Sequence, residues 1–185
     1  MLRTRNYRDL KVVDIAREAG TSPATFYQYF PDVESAVIVL AEEMALQGAR
    51  FSQIVRDTRW RGRNGYDGAE ALADEFFAFW EEHQPVLRVI DLGTEEGDAR
   101  FRTIRTRLLN DLTNALTDAV SQMKSEGRHP DDVDPTAMAA VLVSMLAHVA
   151  GHRYGLEFWG IRTAELRTAM ARIIFWAISG QKPPS

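Results

Sequence analysis

Apolar residues recur along this chain at spacings of three and four, and no stretch alternates strictly over the length of a strand. The pattern predicts helices throughout. The first runs from Val12 to Ala19 and stops at Gly20, a residue able to take the left-handed conformation that closes a helix. After a very short link, Ser22 is a good N-cap. Pro23 then suits the first helical position, where its missing N–H does no harm, and the helix continues to Phe30 before Pro31. Asp32 caps a third helix, whose stripe of Val33, Ala36, Val37, Leu40 and Met44 leads on to Val55. Arg56 to Gly68, with Gly62, Gly65 and Gly68 among four arginines, predicts a loop and a boundary between two modules. Helices follow over 69–83, 85–93 and 98–124. A loop rich in Asp and Pro spans 127–135, Asp134 and Pro135 start a helix to Tyr154, and the last helix runs from Thr163 to Ser179.

Composition bounds what such a chain can be. With 185 residues, 45% of them hydrophobic and 26% charged, it has the make-up of an ordinary globular protein with a sizeable core. The formal net charge of −4 does not suggest a nucleic-acid binder driven by global charge. The absence of cysteine excludes a disulfide framework, a thiolate metal site and a cysteine nucleophile, and it is compatible with the cytoplasm, where the chain is expected to reside. The most apolar stretch, Ala137 to Gly151, is interrupted by Ser144 and His148 and falls short of the ~20 residues that span a bilayer. No signal peptide is read at the N-terminus, which carries Arg3 and Arg5 and no apolar run.

Two short helices joined by a glycine-containing turn have the sequence form of a helix-turn-helix, although any pair of short helices in an all-α protein shares that spacing. The second helix adds information. Ser22, Thr25, Tyr27, Gln28 and Tyr29 gather hydroxyl, phenol and amide groups, and small Ala24 permits close approach. That chemistry suits phosphates and base edges better than a core. The continuous string from Val12 to Pro31, with Asp14-Ile15-Ala16, Ala19-Gly20 and Phe26-Tyr27-Gln28-Tyr29-Phe30, closely resembles the N-terminal signature of TetR-family transcriptional regulators. The remainder resembles that family only in helix number, lengths and loop placement.

The resemblance implies an all-α protein with an N-terminal helix-turn-helix module over 1–46 and a helical ligand-binding and dimerisation domain over 47–185. It implies that Ser22 caps the recognition helix and offers a group to a phosphate, that Ala24, Thr25 and Gln28 read bases, and that Tyr27 and Tyr29 bond phosphates beside Thr21. Ile15, Ala16, Ala19, Phe26 and Phe30 would fill the small core. Two departures stand out. Val33 takes the place where the family carries a phosphate-binding lysine, a contact that Lys11 can restore. Only Met1 to Arg5 precede Asn6-Tyr7, so the chain begins where the family's first helix ends, with Asn6 at the expected helix end.

The second module is rich in aromatics, most of which suit a core. The helix from Pro135 is apolar nearly all round and is therefore expected to be covered on two sides. One side would meet a pocket for an apolar or aromatic small molecule, lined by Phe77, Trp80, Leu87, Met145, His148 and Trp159. A lipid-like or acyl molecule is one candidate. The other side, Leu142, Leu146 and Val149 with Leu166, Met170, Ile173 and Ile174 of the last helix, resembles the family's four-helix dimer interface. The function implied is a repressor released from a palindromic operator by its ligand, with no catalytic residue, cofactor or metal. The alternative is a metal-binding helical protein or enzyme using His148 and His152, which stand at i and i+4. However, no Glu follows the first of them and no third ligand is evident. Charge is divided in the way the two-module reading needs: residues 1–30 carry +2 and the rest −6.

Overall fold

The computed structural model describes residues 1–5 and 7–184. Asn6 lies outside the described residues, and with it the helix end expected there. A 3₁₀ turn at Tyr7–Asp9 precedes α1 (Val12–Glu18), α2 (Pro23–Tyr29), α3 (Val33–Leu46), α4 (Ala49–Asp57), α5 (Gly62–Glu95), α6 (Ala99–Ser125), α7 (Pro135–Phe158) and α8 (Thr163–Ser179). Among the described residues there is no strand, as the helical periodicity predicts. The chain divides into two compact units. One joins Met1–Gln47 to His83–Arg107, and the other joins Gly48–Glu82 to Leu108–Ser185.

In the N-terminal half three helix boundaries differ from the periodic pattern, each for a local reason. The stripe that runs from Val33 towards Val55 is interrupted at Gln47 and Gly48, which have φ of −72° and −62° with shallow ψ of −15° and −17°. The main-chain bonds there join residues three apart, Gln47 N–H to Met44 C=O and Phe51 N–H to Gly48 C=O. The junction is thus a tightened 3₁₀ turn that a hydrophobicity pattern does not register. The glycines of the predicted 56–68 loop lie mostly inside α5, leaving 58–61 as the connection. A Cβ on Gly68 would stand 2.3 Å from Thr58 Oγ1, and one on Gly65 would stand 2.9 Å from both the Trp60 backbone and the Phe175 ring. These two glycines therefore permit close packing and do not loosen the chain. Finally, α5 continues through Pro85, which costs the helix one N–H without ending it.

In the first unit, Val37, Ala41 and Met44 of α3 are buried, as are Val86, Val89 and Ile90 of α5 and Phe101 and Ile104 of α6. A Cβ on Gly93 would fall 2.2 Å from the Phe101 ring, so glycine there lets the turn between α5 and α6 close tightly. The second unit holds most of the aromatics. Phe51 meets Phe76 at 4.5 Å between ring centroids and Phe79 edge-on at 5.1 Å, while Phe76 stacks on Trp80 at 5.0 Å. Burying one such ring contributes about 1.5–3 kcal/mol, so this cluster is a principal anchor of the unit.

Helix α7 is longer than its apolar run suggested. At 24 residues it is long and apolar enough to cross a membrane by length and composition alone. Along one face, however, Ala139, Leu142, Leu146 and Ala150 are buried in the second unit, and so is Arg153. The Arg153 guanidinium bonds Glu81 at 3.2 and 3.3 Å and the Tyr154 hydroxyl at 2.7 Å. Burial alone would lower its pKa, but these two partners raise it, so the buried group stays a cation.

Candidate nucleic-acid interface

The closure of α1 sets the geometry of the helix-turn-helix. Gly20 stands at φ +65°. Its N–H bonds Arg17 C=O at 3.2 Å and the Thr21 N–H reaches back to Ala16 C=O at 2.8 Å, the pair of bonds that defines a Schellman closure. Two residues later α2 begins. The Ser22 hydroxyl accepts the Thr25 N–H at 3.1 Å and also meets the Thr25 hydroxyl at 2.9 Å, so the cap predicted at Ser22 is formed, with Pro23 opening the helix. Lys11 occupies the corresponding position before α1, where its side chain makes no capping bond.

Helical spacing then sorts the residues of α2. Phe26 is buried and packs against Phe30 at 5.4 Å, with Tyr27 edge-on at 5.8 Å. Ala24, Tyr27 and Gln28 occupy the opposite face and are exposed. Tyr29 is also exposed, at 75%. Thr25 is half-buried and turned into the cap, so much of its hydrogen-bonding capacity is used within the chain. Lys11, Thr21 and Ser22 are exposed. Of the predicted core, Ala16 and Phe26 are buried and Ile15 and Phe30 partly so. Ala19 is exposed, because it is the C-cap of α1 and lies past its inward face.

Charge around the module is largely paired. Asp14 holds Arg5 at 3.3 Å and also bonds Arg17. Asp32 caps α3 by accepting the Ser35 N–H at 2.7 Å, and that bond holds its carboxyl below the usual range. The segment 83–107, which sequence reading assigned to the second module, is tied to the N-terminal helices by side chains. Arg8 bonds Glu96, Arg100 bonds Glu34 at 2.7 Å, Arg107 lies 3.7 Å from Glu42, and the His83 ring meets Gln47 at 3.2 Å. Arg100 also grips Asp98, whose pKa is lowered to about 2 by the Arg100 side chain and backbone N–H. Partners 36 to 88 residues apart carry no local signal, so the periodicity of the sequence does not reveal this brace.

Residues 51–185 match the family described as tetracyclin repressor-like, C-terminal domain, and residues 1–35 match bacterial regulatory proteins of the tetR family. The chain belongs to the tetR family. It is similar to an uncharacterized HTH-type transcriptional regulator of Haemophilus influenzae, 26% identical over 117 residues; the match covers 63% of this chain and 56% of that relative. This tetR-family chain therefore spans little more than half the length of that curated relative. Two solved structures share its fold. The fatty acid degradation regulator FadR of Bacillus halodurans matches with a TM-score of 0.65 and 18% identity, covering 99% of this chain and 91% of that one. The transcriptional regulator FadR of Bacillus subtilis, in complex with stearoyl-CoA, matches with a TM-score of 0.65 and 16% identity, covering 95% and 91%.

In this tetR-family chain the residues predicted for a ligand pocket belong to both units. Phe77 and Trp80 are buried among the aromatics of the second unit, Leu87 is buried in the first unit, Met145 is half-buried, and His148 is exposed. Trp159 is 78% exposed, because α7 runs on to Phe158 and Trp159 is its C-cap. None of the six lines the cavity of about 430 Å³ in the first unit, which is bounded by Leu2, Arg3, Arg5, Pro85, Arg88 and Leu92 among others. The predicted dimer residues divide as well. Leu142, Leu146, Met170 and Ile174 are buried within the chain itself and cannot form its outer surface. Val149 and Leu166 are partly covered, and only Ile173 is exposed. On α7 the stripe through Leu142 and Leu146 thus faces the chain's own interior. Val141 and His148 face outward beside half-buried Met145, and Ile173 and Trp176 do so on α8.

Proposed function

We propose that this protein is a cytoplasmic, dimeric transcriptional repressor that binds a palindromic operator and leaves it when a small apolar molecule binds. The observation that carries the reading is the division of α2. Phe26 anchors the helix from within, while Ala24, Tyr27 and Gln28 stand together on its outer face beside Tyr29. A short capped helix that shows amide, phenol and methyl groups to solvent is suited to a DNA major groove. In this reading residues 1–46 read DNA and residues 47–185 sense the ligand and dimerise. Gln28 and Ala24 face base edges, while Lys11, Thr21, Ser22, Tyr27 and Tyr29 meet the phosphate backbone. Thr25 mainly holds the cap.

A second copy would cover Val141 and Met145 on α7 with Ile173 and Trp176 on α8, since large apolar side chains exposed on two packed helices suit an interaction surface. A twofold pair presents two recognition helices to two half-sites. For the ligand, support comes from the aromatic make-up of the second unit and from the FadR fold neighbour bound to stearoyl-CoA, which favours a molecule with a long acyl chain. Such a ligand acts by binding the DNA-incompetent state more tightly than the competent one.

The decisive experiment is a fluorescence-anisotropy titration of the dimer against duplexes from the DNA flanking its own coding region, at several salt concentrations. Specific binding with a steep salt slope is expected, each phosphate contact contributing about −0.9 to the slope. Affinity for those duplexes equal to that for bulk DNA would refute the proposal.

A further inference from the structure

His148 is a predicted pocket residue, yet it and His152 are both exposed on α7. Their rings lie side by side, with centroids 4.2 Å apart and planes inclined by only 19°. His152 Nδ1 lies 3.0 Å from the His148 carbonyl oxygen. A carbonyl only accepts, so Nδ1 carries the hydrogen and Nε2 is left with its lone pair directed away from the helix backbone. A second imidazole nitrogen held by a carbonyl is also the usual support of a metal-binding histidine. The His148 ring makes no hydrogen bond among the described residues. Arg153, close in sequence, is buried on a different face and neutralised by Glu81.

We infer that His148 and His152 bind a divalent transition-metal ion, zinc in the first instance, at a site completed by the same two histidines of a second copy of the chain. The ligand set points to the ion: imidazole suits zinc, nickel and copper, whereas calcium and magnesium require oxygen donors. Zinc–nitrogen distances of about 2.0–2.1 Å in a tetrahedral site put the two nitrogens roughly 3.3 Å apart. The rings, 4.2 Å apart, are close enough to share an ion once both exposed side chains rotate out of the stack so that their Nε2 lone pairs converge. One chain supplies only half of such a site, since no group of three or more metal-binding side chains occurs among the described residues. The missing half follows from position. The pair shares its face with Val141 and Met145, the face assigned above to the second copy, so this inference rests on that reading. With the pair beside the twofold axis of the two copies, its nitrogens lose water and meet those of the partner's pair. A shared cation satisfies all four nitrogens.

The test uses the full chain freed of metal. Sedimentation velocity in EDTA and then in zinc gives the assembly state, and zinc uptake is measured in competition with a chromophoric chelator. One zinc ion per two chains is expected, together with the visible d–d absorption of tetrahedral cobalt when Co²⁺ replaces it. His148→Ala and His152→Ala should abolish uptake while leaving the circular dichroism and melting unchanged, because both side chains are exposed. A dimer that forms only with zinc also supports the site. A dimer in EDTA that takes up no zinc overturns the metal site and leaves the dimer reading intact. A monomer under both conditions overturns both. One ion per chain, or uptake unchanged in the alanine variants, overturns the two-copy site.

Discussion

Replacing Gly20 with alanine isolates a single term in the stability of the helix-turn-helix. The residue stands at φ +65°, and a Cβ built on it meets nothing within 4 Å, so the substitution adds no collision. Its cost is conformational. An L-residue held in the left-handed region is disfavoured by about 1–2 kcal/mol, and the reduced freedom of alanine in the unfolded chain offsets about 0.4–1 kcal/mol of that. The net loss is therefore roughly 1 kcal/mol, a fall of about 2–4 °C in melting temperature for a protein of this size. Scanning calorimetry of Gly20→Ala and Gly20→Asn alongside the parent measures it. Asparagine tolerates the left-handed region and should lose less than alanine. A unit several kcal/mol stable stays folded after such a change, so DNA affinity should fall by less than about twofold. A Gly20→Ala variant as stable as the parent, or asparagine as the worse substitution, would show that strain at the positive φ is not what the glycine relieves.

Other expectations follow from the same geometry. Gln28→Ala should relax preference at one base step, measured on a panel of single-base operator variants, whereas Lys11→Ala should weaken all sequences alike and flatten the salt slope by about one phosphate contact. Equal effects of the two would contradict their assigned roles. Ile173→Glu and Trp176→Glu should shift sedimentation towards monomer with little change in melting, while Leu146→Ala, in the chain's own core, should lose about 2–5 kcal/mol of stability. The Asp98 carboxyl, at about 2 against its ordinary 3.8, binds its proton less readily in the folded chain than in the unfolded one. The stability it supplies is therefore complete above 3.8 and disappears as pH falls towards 2. Acid unfolding of Asp98→Asn should accordingly show a smaller loss across that window than the parent; an identical profile would refute the contribution.

Local signals were the most legible part of this chain. Gly20, Ser22, Asp32 and Asp134 each act within four residues of themselves, and the closure and caps they predict are present. Helices α6 and α8 likewise follow their periodicity to within a residue or so. What escaped depends on distance or on three-dimensional fit. Gly65 and Gly68 have the composition of a loop, yet they are required by Trp60 and Thr58 pressing against a helix. The choice between the stripes Leu142–Leu146 and Val141–His148 needs knowledge of which neighbour arrives, because α7 is apolar on both sides. Thr25 has a side chain fit for a base, but the Ser22 hydroxyl lies 2.9 Å from its own and engages it first.

The first unit is made from two separated stretches, Met1–Gln47 and His83–Arg107. Chimeric regulators that graft one reading head onto another sensor by cutting once, after residue 47, would leave Val37 and Met44 without the side chains of Ile90, Phe101 and Ile104 that complete their unit. They would also strand Glu34 and Glu42 without Arg100 and Arg107. The transplantable piece is discontinuous, and recombination in this scaffold has to carry two inserts or replace the matching part of α5 and α6 in the recipient.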